Sequence, residues 1–65
     1  MFVIVNGQPH PLPEPRTVAE LLRKLSPAVP FAVAQNAEVV PRGAYENCRI
    51  QPGDKIDILH PAAGG

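Results

Sequence analysis

Thr17-Val18-Ala19-Glu20-Leu21-Leu22-Arg23-Lys24-Leu25-Ser26-Pro27 decides how this chain folds. Thr17 and Glu20 have the spacing of a helix capping box, with Thr17 as N-cap and Glu20 at the third helical position. Val18, Leu21, Leu22 and Leu25 recur at i, i+3, i+4 and i+7, which lines one face of a helix with apolar side chains. Arg23 and Lys24 fall on the other side, near the C-terminal end, where the helix dipole favours cations. That pair reads as a wet helix face. Ser26-Pro27 ends the helix, because the residue before a proline avoids helical backbone. One leucine stripe needs one apolar surface to cover it, so the remaining segments must supply a sheet.

Outward from the helix, those segments are strands. Met1 to Val5 is an apolar run closed by Asn6-Gly7, a strong two-residue hairpin signal. Gln8 to Pro13 is the expected return strand. Its alternating prolines cannot donate to a ladder, so it belongs at a sheet edge or is irregular. Beyond the helix, Phe31 to Gln35 and Glu38 to Val40 read as strands, with Asn36-Ala37 as a tight turn that alanine resists at positive φ. Arg42 to Asn47 is long enough for one turn or a 3₁₀ segment. Tyr45 within it is expected to tuck its ring under the sheet edge. Gln51-Pro52-Gly53-Asp54 has the pattern of a type II turn. Lys55 to Leu59 alternates charged and apolar residues up to Ile58 and reads as the last strand. His60 to Gly65 is the tail. The first and last strands are both strongly apolar and are expected in the sheet interior.

The chain has 65 residues, which fits one small domain with a modest core. Such a chain is a poor host for a deep catalytic pocket. Six basic residues balance six acidic ones. Arg16, Arg23, Lys24, Arg42, Arg49 and Lys55 are scattered, which argues against nucleic acid and anionic membranes as partners. The single cysteine, Cys48, excludes an internal disulfide and a cysteine-rich zinc site. Cys48 itself reads as a small buried filler. The apolar start lacks a basic leader and no stretch is long enough to span a bilayer, so a cytoplasmic protein is expected. Nine prolines fall mostly between elements and restrict the unfolded chain.

The last four residues are Ala62-Ala63-Gly64-Gly65. Two glycines gain nothing for folding. They are expected to form a handle that threads a narrow channel and presents a carboxylate to another protein. The six tail residues span roughly 20 Å when extended.

This arrangement resembles the ubiquitin-like β-grasp fold: α+β, a mixed sheet of four to five strands packed on one main helix, with residues 1–65 as one domain and 60–65 as a flexible tail. More narrowly, the chain resembles the thiamine-biosynthesis sulfur carrier (ThiS) family. The resemblance rests on the opening strand with Asn6-Gly7, Thr17-Val18-Ala19-Glu20-Leu21-Leu22, Ala32-Val33-Ala34 with Asn36, and Val39-Val40-Pro41-Arg42. Gly53-Asp54, the Ile56/Ile58 alternation and Gly64-Gly65 complete it. The chain departs from the family at Ala37, where glycine is frequent, and at Tyr45, where tryptophan is common. Its His60-Pro61-Ala62-Ala63 run is reminiscent of the small subunit of molybdopterin synthase, so that subunit, or a carrier for another sulfur pathway, is the alternative the resemblance leaves open.

The resemblance implies a protein co-substrate rather than an enzyme, with no catalytic residue, no metal and no bound cofactor. An adenylating enzyme of the ThiF type would use Mg-ATP to activate the Gly65 carboxylate. A sulfur donor such as a cysteine desulfurase system would then convert it to a thiocarboxylate, with Gly64 and Gly65 as the sulfur-carrying terminus. Thiazole synthase of the ThiG type would receive the sulfur. The family register would turn Met1, Val3, Val5, Ile56 and Ile58 towards the helix. It would leave Phe2, Ile4 and Leu59, with Asp57, on one outer face close to the tail's root. Phe2, Ile4, Leu59, His60, Ala62 and Ala63 are therefore the expected partner-binding residues. His60 reads as solvated, and His10 has no evident partner. Two other classes share parts of this pattern: a ubiquitin-type protein modifier, and a non-covalent β-grasp interaction module.

Overall fold

Asn6 and Gly7 both take positive φ, 49° and 82°, and turn the chain back on itself after the first strand. The computed structural model describes residues 2–12 and 16–61. Strand β1 (Phe2–Val5) pairs antiparallel with β2 (Gln8–Pro11), with Val5 opposite Gln8. The amides of Ile4 and Asn6 donate to Asp54 and Ile56, on the side of β1 away from β2. Val3 and Val5 are thus left to bond with β2, where they face His10 and Gln8. Pro9 and Pro11 stand opposite Ile4 and Phe2, at the positions where no ladder donor is required. β2 is an edge strand, as its prolines demand.

Helix α1 (Val18–Leu25) begins at Thr17, whose hydroxyl accepts from the Glu20 amide at 3.3 Å. It stops where Pro27 requires, with Leu25 as the last helical residue. Ser26 is left-handed at φ 48°, and its amide donates to the Leu22 carbonyl at 2.7 Å. Strands β3 (Ala32–Gln35) and β4 (Glu38–Val40) form the second hairpin, through Asn36 and Ala37 at φ 51° and 71°. A 3₁₀ turn covers Arg42–Ala44. Gly53 at φ 83° completes the turn into β5 (Lys55–Leu59), where the Asp54 amide donates to the Gln51 carbonyl at 3.1 Å.

The sheet order is β2-β1-β5-β3-β4. β1 and β5 are parallel and central, with Val5 beside Ile56, and the other pairings are antiparallel. The expected interior position of the first and last strands is therefore met. Val3, Val5, Val33, Val40, Ile56 and Ile58 form the inner face, and Val18, Leu21 and Leu22 of α1 belong to the same buried cluster. Burying each such side chain stabilises the fold by about 1.5–3 kcal/mol. Leu25 packs on the cluster's margin.

Two core residues lie just outside the regular elements: Leu12 follows β2, within the stretch expected as the return strand, and Ile50 precedes the turn into β5. Leu12 and Ile50 are 2% and 0% exposed. The Ile50 amide donates to the Arg16 carbonyl at 2.7 Å, and Thr17 bridges Arg49. This short pairing seats Ile50 beneath the start of the helix. Tyr45 is partly buried against the same core, and its carbonyl accepts from the Ala19 amide at 3.0 Å.

Candidate functional site: the outer sheet face and the root of the tail

The strand that leads to the tail is fixed by its alternation. Ile56 and Ile58 point into the core, while Leu59 is 52% exposed. A side chain far away in sequence holds this register. Asn6 Oδ1 accepts from the Ile58 amide at 2.7 Å, which extends the β1–β5 contact one step past the strand pairing. Asn6 thus has two roles, the positive-φ turn and an anchor for β5. The hairpin pattern reveals only the first.

On the outer face, Leu59 stands opposite Ala32, and Asp57 opposite Ala34. Val39, 73% exposed, stands across from Ala34 on the other side. Leu59 and Ala32 therefore make an exposed apolar pair at the end of β5, and Val39 lies two strands away, level with Asp57. Phe2 is also exposed, at 60%, and Ile4 is half-buried. Their expected adjacency to Leu59 is not met. β1 runs parallel to β5 with Ile4 beside Lys55, so Leu59 is four residues further along. At about 3.3 Å per residue that is roughly 13 Å. Phe2 and Ile4 instead lie against Pro11 and Pro9 of β2. The inward and outward facing is as expected for Val3, Val5, Phe2, Ile56, Ile58 and Leu59. The single cluster is two.

His60 is not merely solvated. Its Nε2 lies 2.9 Å from the Ala28 carbonyl, which ties the first tail residue to the loop after the helix. Ala62, Ala63, Gly64 and Gly65, the remaining expected tail residues, lie outside the described residues, as does Met1.

A polar network braces the opposite end of β5. Asp54 accepts from the Gln51 amide, Gln35 Nε2 and Asn36 Nδ2 at 2.8, 2.8 and 3.1 Å. Asn36 Oδ1 accepts from the Lys55 amide at 3.0 Å. Partial burial pushes the Asp54 carboxyl up, but hydrogen bonds from Gln51, Asn36 and Gln35 outweigh it, so the group titrates below its ordinary range. Cys48 is half-buried and donates to Gln35 Oε1, which makes it part of this brace as well as a filler. Arg23 of the wet helix face pairs with Glu46. Among the described residues, no three His, Cys, Asp or Glu side chains are grouped to hold a metal, and no helix is long and apolar enough to cross a membrane.

Exposed apolar side chains at the end of β5 are suited to docking. The sequence pattern of the ThiS family matches residues 3–65. The chain belongs to the ThiS family. The chain is similar to the crystal structure of a thiamine biosynthesis protein (ThiS) from Geobacter metallireducens, with 33% identity, full coverage of both chains and a TM-score of 0.88. A solution structure of a thiamine biosynthesis protein from the same organism matches at a TM-score of 0.80, with 33% identity, all of this chain and 88% of that one. The fold of this ThiS-family chain is thus the expected β-grasp, a five-stranded mixed sheet on one helix. Two curated relatives are thiazole synthases. The one from Paramagnetospirillum magneticum is 32% identical and that from Magnetococcus marinus 36%, each over all of this chain. The chain spans 20% of the length of each.

Proposed function

We propose that this chain is the sulfur carrier for assembly of the thiamine thiazole, acting through the carboxylate of Gly65. One observation carries the reading. A domain that matches a ThiS structure from end to end also aligns from end to end with a segment of two thiazole synthases. A carrier and the enzyme that consumes its cargo gain effective concentration by being joined. The alignment therefore supports thiazole synthase as the acceptor.

A carboxylate is a poor electrophile. An adenylating partner would spend Mg-ATP to make a Gly65 acyl-adenylate with release of pyrophosphate. A sulfur donor would displace AMP and leave a thiocarboxylate. Its sulfur is more acidic than an alkyl thiol, so it is ionised near neutral pH, and the anion is the nucleophile. Gly64 and Gly65 suit a narrow channel because neither carries a Cβ. Leu59, with Ala32, would dock the body while His60 and Pro61 start the tail on its path.

The test is intact mass of the natural protein after incubation with an adenylating enzyme, ATP and a sulfur donor. The expected product is heavier by one sulfur less one oxygen, and deletion of Gly65 abolishes it. Conjugates with other proteins would instead indicate a modifier. An unchanged mass would indicate a non-covalent module.

A further inference from the structure

A groove of about 610 Å³ opens on the helix side of the molecule. Leu22, Val29, Pro30, Phe31 and Tyr45 give it apolar walls, and Arg42 stands at it too. Val29 is 81% exposed, more than any other large apolar residue among those described. Val29, Pro30 and Phe31 are consecutive and line one edge of the groove, so the exposed apolar surface there is contiguous, which is what marks a contact site.

The charges around the groove are unequal. Arg23 is paired with Glu46. The Arg42 guanidinium has no carboxylate partner among the described residues. An apolar groove with one uncompensated cation complements an apolar side chain next to a carboxylate. Position decides who would bring them. Ala32 pairs with Leu59, and His60 bonds to Ala28, so the 28–31 segment lies beside the first residues of the tail. A protein that takes the tail must pass this segment.

We propose that the groove is a second docking point for the tail's acceptor, filled by an apolar side chain of that protein with an adjacent Asp or Glu on Arg42. This rests on the reading of thiazole synthase as acceptor. It adds a contact on the helix side, away from the outer sheet face where Leu59 lies.

The experiment is calorimetric titration of the full chain with thiazole synthase, using wild type, Arg42→Gln, Val29→Asp and Leu59→Asp. All three sites are exposed, and thermal unfolding run in parallel confirms that each variant is folded. Arg42→Gln is expected to weaken binding about tenfold at low salt, with the difference shrinking towards 1 M salt, where charges are screened beyond about 3 Å. Val29→Asp is expected to weaken it at least about tenfold at any salt. The proposal is overturned if either groove variant binds like wild type. If Leu59→Asp alone weakens binding, the groove is wrong and the outer face stands. No binding by wild type overturns the acceptor reading and the groove together.

Discussion

Ala37 is the residue whose chemistry fits its place least. The two hairpins use the same two-residue connection, with both central residues at positive φ. In the first, asparagine tolerates the left-handed region and glycine occupies it freely, at Asn6 and Gly7. In the second, Asn36 is followed by alanine at φ 71°. A Cβ in that region costs about 1–2 kcal/mol. Asn36 cannot move to relieve it, because its side chain bonds both to Asp54 and to the Lys55 amide. Ala37→Gly removes the strain and adds some unfolded-state entropy, worth about 0.5–1 kcal/mol against it. The net gain is expected to be about 0.5–1 kcal/mol, which raises the thermal midpoint by several degrees in a domain of this size. Thermal unfolding of the two proteins measures it. A lower midpoint in the glycine variant would mean that alanine makes a compensating contact. Sequence shows the conflict, since Asn-Ala stands where Asn-Gly is expected. The flanking strand patterns still place the turn at Asn36-Ala37, and the structure has it there.

The elements were legible where a period or a turn signal exists, and not where the chain is held by single contacts. The α1 stripe, its Thr17 cap, the Asn6-Gly7 turn and the edge position of β2 all follow from residue type and spacing. Leu12 and Ile50 do not. Each is one apolar residue among polar and proline neighbours, with no repeat to mark it, yet both are buried. Asp54 is similar. As a turn residue it is unremarked, but in the fold it joins the β3–β4 hairpin to the turn before β5 through Gln35 and Asn36. Its pH consequence has a definite sign. The Asp54 pKa is lower folded than unfolded. Its stabilisation is then fully present above the unfolded value, about 3.9, and is lost as pH falls through the lower folded value. Asp54→Asn lacks this titration and returns an amide donor towards donors that Asp54 accepts. Thermal midpoints from neutral pH downwards are expected to show wild type above Asp54→Asn at pH 6–7, with the gap closing only below pH 4. A gap independent of pH would assign the effect to shape rather than charge.

For the molecule as a whole, what matters is where the exposed apolar residues lie relative to the tail. Alternation alone turns Phe2 and Leu59 outward, and both are exposed. Whether they are neighbours depends on how β1 slides against β5, two strands far apart in sequence and parallel. No turn fixes that register, so it is invisible in the sequence. The register places Ile4 beside Lys55, and Lys55 and Asp57 then separate the Phe2 end of the outer face from Leu59. Binding energy concentrates in a few central residues, with rim contacts nearly neutral. An acceptor centred on the tail must centre on Leu59, with Phe2 at its rim. Leu59→Asp is therefore expected to weaken thiazole synthase binding by at least about tenfold, and Phe2→Asp by less than about threefold. Both variants should unfold within about 0.5 kcal/mol of wild type, because each side chain is more than half exposed. Equal losses at both positions would mean that the partner covers the whole sheet. The acceptor would then have to reach around the edge formed by β2, whose prolines prevent it from pairing there as an added strand.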